Sequence, residues 1–330
     1  MQRCYLVIFL ILIQCIISCA KKDINIENLH MHVVKNATLI NSDIYTYLVK
    51  NYYIGRFIEE LYEYQEIILP RIDKNKYLTN TDGVFYTEIK ELHSTAFVSG
   101  FHKISDKIKD IVFFTEPIED RYKEIMFKNP EIVQLYYMEK HSYIRIYPPI
   151  DALSEYNPKT DFEQSTPFII ANKENNPFRV SQIVKSPVIE KIDGVWSFLV
   201  VAPVYFNEEM QGVSGMRVSV NFFLEKWLVG TSGFFAFLLT ERGLMLSTNS
   251  ELKSILNDYS DDPENDTTIY CMNLLQHDDL EKSDIAMKIL NGEKSFITTI
   301  NQKKYYILCE EISLLSSYLV YMKPSDINIQ

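Results

Sequence analysis

Few side chains in this sequence fall into a spacing that could support catalysis or metal binding. His30 and His32 stand two residues apart, poor spacing for one helix face, and no cysteine or carboxylate cluster lies beside them. They read as tether histidines rather than as a metal pair. Asp258, Asp261, Asp262, Glu264 and Asp266 form the kind of oxygen-rich stretch that calcium favours, but the turn glycine and closing glutamate of a calcium loop are missing. A solvated acidic loop is the expectation there. His93, His102 and His141 are each general-base candidates, yet nothing in the sequence places a nucleophile beside them. No nucleophile-elbow serine, phosphate-binding glycine loop or HExxH pair occurs. The chain is expected to be no enzyme and to carry no metal and no cofactor.

One charged residue stands where it could select a ligand. The run Gly212 to Val220 has strand texture, and strand alternation puts Val213, Gly215, Arg217 and Ser219 on one face and Ser214, Met216, Val218 and Val220 on the other. A guanidinium there suits a carboxylate or phosphate held bidentately. It could equally close an internal ion pair with Asp161 or Glu163, and the sequence leaves both readings open.

The elements that must position such a residue follow from composition and periodicity. A chain of 330 residues holds about two ordinary domains, and 47% hydrophobic with 23% charged residues is a globular balance. Arg3 precedes an apolar run from Tyr5 to Ile13 that resumes after Gln14 to Ile17. That is too short for a membrane span of about 20 apolar residues but has the length of a secretory h-region. It ends in Ile16-Ile17-Ser18-Cys19, which resembles the lipobox of a bacterial lipoprotein precursor, in which the cysteine is acylated and becomes the first residue. An ordinary cleaved signal is the alternative. On this reading residues 1–18 are a signal peptide, Cys19 is the lipidation site, and the mature chain is extracytoplasmic, held by acyl chains to a bacterial membrane at its periplasmic face or cell surface. The net charge of −11 argues against a nucleic-acid partner. After loss of Cys4 and Cys15 with the signal, only Cys271 and Cys309 remain as side-chain thiols, and two packed thiols are favoured over a disulfide.

Behind a tether of 19–35, the apolar residues Ile40, Ile44, Tyr47, Ile54, Ile58, Leu61 and Ile68 recur at helical spacing, predicting a long amphipathic helix over 36–70 that Pro70 stops. A second helical pattern links Ile89, Leu92, Ala96, Phe101, Ile104, Ile108 and Ile111. From Ile132 short strands take over. Hairpins are expected at 132–138 with 143–147, and at 195–205 with 212–220 around Asn207-Glu208-Glu209. A linking helix at 221–228 leads to a smaller unit: a hairpin of 234–239 with 244–247, a helix near 280–290, and strands around Phe296, Tyr306 and Leu319.

The order of several weak motifs resembles one family. Asp161-Phe162-Glu163-Gln164-Ser165-Thr166-Pro167-Phe168 with Ala171, then Trp196-Ser197-Phe198, Ala202-Pro203-Val204-Tyr205 and Gly212-Val213-Ser214-Gly215-Met216-Arg217 are similar to the distal half of a double Cache domain. This is the paired sensor module of bacterial extracytoplasmic receptors. Gly230-Thr231-Ser232-Gly233-Phe234 is similar to the start of that family's proximal unit. The resemblance implies an α+β fold: a long N-terminal helix followed by two PAS-like α/β units with mainly antiparallel sheets, a membrane-distal one over 71–228 and a membrane-proximal one over 229–330.

In amino-acid-binding members an arginine, a tryptophan and a tyrosine occupy the positions that here fall on Ser165, Pro167 and Phe168, and an aspartate occupies the position of Arg217. None of those charge-pairing groups is kept, so amino-acid binding is not carried over. The arginine in the aspartate position leads instead to the expectation of a distal pocket for a small anionic or polar metabolite, with Arg217 as its charge, Phe168, Trp196, Tyr143 and Tyr147 as walls and Ser165 as a further ligand-binding residue. The chain stops at Gln330 with no output domain of its own in view, so a sensor-like protein of this kind would pass its signal or its solute to a separate membrane signalling or transport partner. A surface interaction protein or adhesin using the same fold without a small ligand is the alternative.

Overall fold

The structure, a computed structural model, describes residues 26–88, 93–185, 189–192, 194–228, 234–256 and 270–325. The signal segment, Cys19, most of the Gly230 motif and the acidic stretch 258–266 lie outside the described residues.

Helix α1 (Ile26–Glu63) has 38 residues and is therefore about 57 Å long. It begins earlier than its apolar pattern suggested, so residues 26–35, expected as tether, are helical, and His30 and His32 are exposed on it. Its buried stripe runs Leu29, Val33, Ala37, Ile40, Ile44, Tyr47, Asn51, Ile54, Ile58, Leu61, three and four residues apart along one face. A short α2 (Gln65–Ile68) and the 3-10 turn Leu69–Arg71, which contains Pro70, follow it.

The first unit is built from β1 (Tyr77–Thr79), β2 (Phe85–Thr87), β3 (Thr95–Val98), α3 (Asp106–Phe114), α4 (Ile118–Lys128), β4 (Ile132–Glu139), β5 (Tyr143–Tyr147), α5 (Ala152–Glu155), the 3-10 turn Phe162–Gln164, α6 (Thr166–Ala171), β6 (Gln182–Ile183), β7 (Glu190–Ile192), β8 (Val195–Phe206) and β9 (Glu209–Ser219). Among the described residues the strands form one antiparallel sheet in the order β1-β2-β3-β5-β4-β9-β8-β6, with β7 also paired to β8. The helical pattern read over Ile89 to Ile111 is corrected here. Its start at Ile89 and Leu92 lies outside the described residues; Thr95–Val98 is a strand buried on both faces, and of the described part only the end is helical, opened by Ser105, whose hydroxyl accepts the Ile108 N–H at 3.3 Å. A β-branched and aromatic run buried on both sides carries no period that separates strand from helix.

Helix α7 (Val220–Leu228) leads to the second unit: β10 (Phe235–Thr240), β11 (Leu244–Ser247), α8 (Ser250–Leu256), β12 (Tyr270–Asn273), α9 (Leu280–Leu290), β13 (Ser295–Ile300), β14 (Lys303–Ile312), the 3-10 turn Ser313–Leu315 and β15 (Ser317–Pro324). Its antiparallel sheet has the order β12-β11-β10-β15-β14-β13. Two of the hairpins close through residue pairs with positive φ, Asn207-Glu208 and Asn301-Gln302, the backbone that a two-residue turn between right-twisted strands requires. Cys271 and Cys309 are not joined by a disulfide. Their strands β12 and β14 are four spacings apart in the sheet, or about 19 Å, far beyond the reach of a disulfide.

Helix α1 joins both units. Against the first sheet it uses buried polar contacts: Tyr47 donates to Glu131 Oε1 at 2.7 Å, and the Glu59 carboxylate accepts the Tyr205 N–H at 2.8 Å. Between them, Asn51 donates to the carbonyls of Val200 (3.2 Å) and Ser214 (3.0 Å) and accepts from the Ser214 hydroxyl (2.8 Å). Nearer its N-terminus, Asn36 donates to the Tyr321 hydroxyl at 2.7 Å and Asn41 accepts the Leu314 N–H at 3.1 Å, tying the helix to the second unit. The rest of the junction is apolar, one continuous core running from Leu29 to Tyr321.

Candidate functional site

The two faces of the first sheet have different contents. On the face toward α1, α3 and α4 lie Leu135, Tyr137, Phe198, Val200, Met216 and Val218. On the opposite face lie Tyr136, Met138, Val201 and Val213, covered by α5, the 3-10 turn and α6 through Ala152, Phe162, Phe168 and Ala171. Arg217 shares the face of Val213 and Gly215. It stands opposite Leu199 on β8 and Gln134 on β4.

The neighbourhood of Arg217 is shaped by a close approach. Tyr136 pairs with Gly215 across β4 and β9, and a Cβ on Gly215 would come within 2.0 Å of the Tyr136 ring. The missing side chain thus lets the ring lie down on the sheet. Burial pushes the Tyr136 hydroxyl above its ordinary value, and the Arg217 charge acts against that rise. At Tyr156 burial, reinforced by the Glu155 carboxylate, pushes the hydroxyl up to about 12, again with Arg217 acting in the opposite direction. Two phenols and one guanidinium therefore share one electrostatic neighbourhood.

The guanidinium itself is poorly paired. Its Nη1 reaches the Ser197 hydroxyl only at 3.5 Å, and its Nε is buried without a hydrogen-bond partner. Among the described residues it makes no ion pair with a carboxylate. Asp161 instead accepts the Glu163 N–H at 3.0 Å as the cap of the 3-10 turn, and Glu163 is exposed, so the internal ion pair with either residue does not form. A buried N–H without a partner is costly, and an anion offers a guanidinium two parallel acceptors.

Of the residues expected to accompany Arg217, the structure brings two to its face and not the others. Phe168 is buried in the covering layer. Ser165 also sits there, but its hydroxyl is engaged with the Phe162 carbonyl at 2.6 Å and Met138 Sδ at 3.1 Å. Tyr143, Tyr147 and Trp196 belong to or pack against the core on the other face of the sheet, which corrects their assignment as walls. The reason is strand parity. A bulge between Val204 and Tyr205 shifts the β8 register so that Leu199, not Phe198, faces Arg217. Tyr143 lies opposite Glu139 on the helix side. There its hydroxyl meets Thr115 Oγ1 at 2.9 Å and accepts from Arg145 Nε at 2.8 Å. Tyr136, Tyr156, Ser197 and Leu199 are the residues that sequence reasoning missed. Gly215 was the available signal for Tyr136, because a glycine inside a buried strand marks a large group lying over it.

Other chemically suggestive side chains are accounted for locally. His93 Nδ1 lies 3.0 Å from Glu119 Oε1, and His141 Nδ1 lies 2.7 Å from Glu139 Oε1. Among the described residues no group of three histidine, cysteine or carboxylate side chains converges as metal ligands would. No described helix is long and apolar enough to cross a membrane. A separate cleft of about 260 Å³ lies between Tyr86–Glu88 and Ile150–Leu153, four strand spacings or about 19 Å from β9.

No protein-family model and no curated protein matches the sequence. Solved structures do match. The extracellular domain of the histidine kinase mmHK1S-Z3 is 11% identical, with a TM-score of 0.51 over 92% of this chain and 96% of its own. The sensory domain of the Campylobacter jejuni chemoreceptor Tlp3 (CcmL) is 11% identical, with a TM-score of 0.50 over 91% of this chain and 95% of its own. The same chemoreceptor domain in complex with L-valine gives 12% identity and a TM-score of 0.50 over 91% and 94%. The chain has the double Cache fold. By chain order the sheet bearing Arg217 is termed distal and the sheet of β10–β15 proximal, and α1 is the long helix that runs beside both. At these identities the likeness establishes architecture, while ligand chemistry has to be argued from the residues that line the distal face.

Proposed function

We propose that this protein is a lipid-anchored, extracytoplasmic sensor-like binding protein that takes a small anionic metabolite at Arg217, on the distal unit of 71–228, with the unit of 229–330 nearest the membrane. The observation that carries the ligand class is the Arg217 guanidinium, whose Nε is buried and unpartnered on the covered face of the distal sheet. Phe168, Leu199 and the two phenols of Tyr136 and Tyr156 supply an otherwise apolar and neutral surround. An α-amino acid such as the L-valine held by Tlp3 would bring an ammonium toward a cation here, so a carboxylate or phosphate without an adjacent amine is the better match. The anchor is Cys19, at the end of the Ile16-Ile17-Ser18-Cys19 motif. A membrane partner would then receive the signal or the solute.

A thermal-shift screen of carboxylates, phosphates, amino acids, nucleobases and sugars tests the ligand class. A true ligand at 100 times its dissociation constant adds about 2.7 kcal/mol to stability. The stabilising compounds should be anions, and Arg217→Ala should lose the response while Arg217→Lys keeps part of it. Equal stabilisation of Arg217→Ala, or a response confined to neutral or cationic compounds, contradicts the assignment. A flat response across the whole screen favours a surface interaction protein. For the anchor, Cys19→Ser should abolish acyl labelling and membrane retention.

A further inference from the structure

A cleft of about 540 Å³ lies where α1, the distal unit and the proximal unit meet. That volume falls within the range of about 300–1,000 Å³ typical of small-molecule sites. Its aliphatic lining comes from four elements, Leu48 of α1, Ile169 and Ile170 of α6, Ile183 of β6, and Leu314 of the 3-10 turn before β15, and is interrupted by the uncharged polar residues Asn175, Ser181, Gln182 and Ser313. Ile169 is 44% exposed, an unusual state for an isoleucine that flanks other aliphatic groups. The proximal wall is held in place, since the Leu314 N–H is bound by Asn41 of α1.

Among the described residues Lys185 is the one charged side chain lining this cleft. It is exposed, and among the described residues it makes no ion pair. Aliphatic surfaces beside an exposed lysine suit a ligand with a long apolar tail and one anionic head. We infer that the junction cleft is a second binding site, distinct from the Arg217 face, for a free aliphatic carboxylate whose chain lies against Ile169, Ile170, Ile183 and Leu314 and whose head pairs with Lys185. Helix α6 connects the two places: Phe168 turns into the distal core and the next two residues line the cleft. A ligand in the cleft therefore bears on the helix that covers Arg217.

Calorimetric titration of the full-length protein with decanoate, decanol, decylamine and acetate tests this inference. Decanoate should saturate at one per chain, decanol should bind about tenfold more weakly for want of the charge-assisted contact, and acetate and decylamine should not saturate. Lys185→Gln should bind decanoate and decanol alike. Ile169→Asp, at a position exposed enough to tolerate the change, should lose both. Arg217→Ala should bind decanoate as the parent does, whatever becomes of the distal ligand. Non-saturable uptake, undiminished decanoate binding by Lys185→Gln, or loss of decanoate binding by Arg217→Ala would each overturn the cleft assignment, the last by moving the anion to the distal face.

Discussion

Two arginines on opposite faces of the distal sheet allow the binding role of Arg217 to be separated from a structural one by stability alone. Arg145 is 1% exposed and fully engaged: its Nε donates to Tyr143, its Nη1 to Ser94, and its Nη2 to both Tyr77 and the Val112 carbonyl, all at 2.8–2.9 Å. Replacing Arg145 by methionine leaves those four groups without their donor, a loss of the kind that costs about 3–5 kcal/mol. Arg217 has one contact at 3.5 Å and a buried Nε with none. Methionine there keeps the apolar stem and removes an unsatisfied buried donor, which should leave stability unchanged or raise it by about 1–2 kcal/mol. Urea unfolding of the parent and of both variants, without added ligand, gives the two differences from midpoints at constant slope. If Arg217→Met destabilised by more than about 2 kcal/mol, Arg217 would be a structural arginine and the anion site would lose its basis.

The same denaturation assay checks the ring over Gly215. Gly215→Ala should cost about 1–3 kcal/mol by overpacking, and Tyr136→Ala about 3–5; the double variant should cost less than the sum, because the ring that a Cβ would strike is gone. Additivity within about 0.5 kcal/mol would refute that contact. Asn51→Leu, which orphans the carbonyls of Val200 and Ser214 and the Ser214 hydroxyl, should lower stability by about 3–5 kcal/mol, and a loss below about 1 would show that the helix does not depend on these bonds. At Glu119 burial raises the carboxyl pKa, but the Lys123 ammonium and the Ser94 N–H and hydroxyl outweigh it and hold the group at about 2 against an ordinary 4.5. That stabilisation is present above pH 4.5 and lost as pH falls toward 2. The gap between the parent and Glu119→Gln should therefore be about 2–3 kcal/mol at neutral pH and close over that interval; a gap independent of pH would contradict the pairing. Burial pushes the Cys309 thiol up to about 12, so peptide mapping after iodoacetamide treatment of the folded protein should find Cys309 unmodified, and early labelling there would contradict its burial.

Much of the architecture was legible in the sequence because its periods are clean. The stripe from Ile40 to Leu61 repeats at three and four residues, and only a helix buries such a stripe on one side. The hairpins of β4 with β5 and β8 with β9 were legible from alternation and from a polar turn between apolar runs. Thr95–Val98 was misread because it is buried on both faces and therefore has no alternation to show. The sequence places Arg217 and Phe168 toward the same face of the sheet, as the structure has them, whereas Trp196, Tyr143 and Tyr147 lie on the other side. With a simple two-residue hairpin Trp196 would pair with Ser219 and share the face of Arg217; the bulge at Val204/Tyr205 moves the pairing by one residue and turns Trp196 toward the helix. No residue type announces that bulge. Its stabilising partner is remote in sequence: the Tyr205 N–H is taken by the Glu59 carboxylate of α1.

That remote partner shows how the long helix and the candidate site depend on one another. Glu59 accepts the backbone donor at the bulge, and the bulge decides which residues of β8 look toward Arg217. About two turns up the same helix, Asn51 holds the facing carbonyls of β8 and β9. A shift of α1 along the sheet therefore cannot leave the covered face untouched, because both strands that carry Arg217, Ser197 and Leu199 are bonded to it through buried groups. The helix is equally bonded to the proximal unit through Asn36 and Asn41. A change at the Arg217 face and a change at the proximal sheet thus act on one rigid element, and the side-chain contacts at Asn36, Asn41, Asn51 and Glu59 are the physical links through which a bound ligand would be felt at the other end.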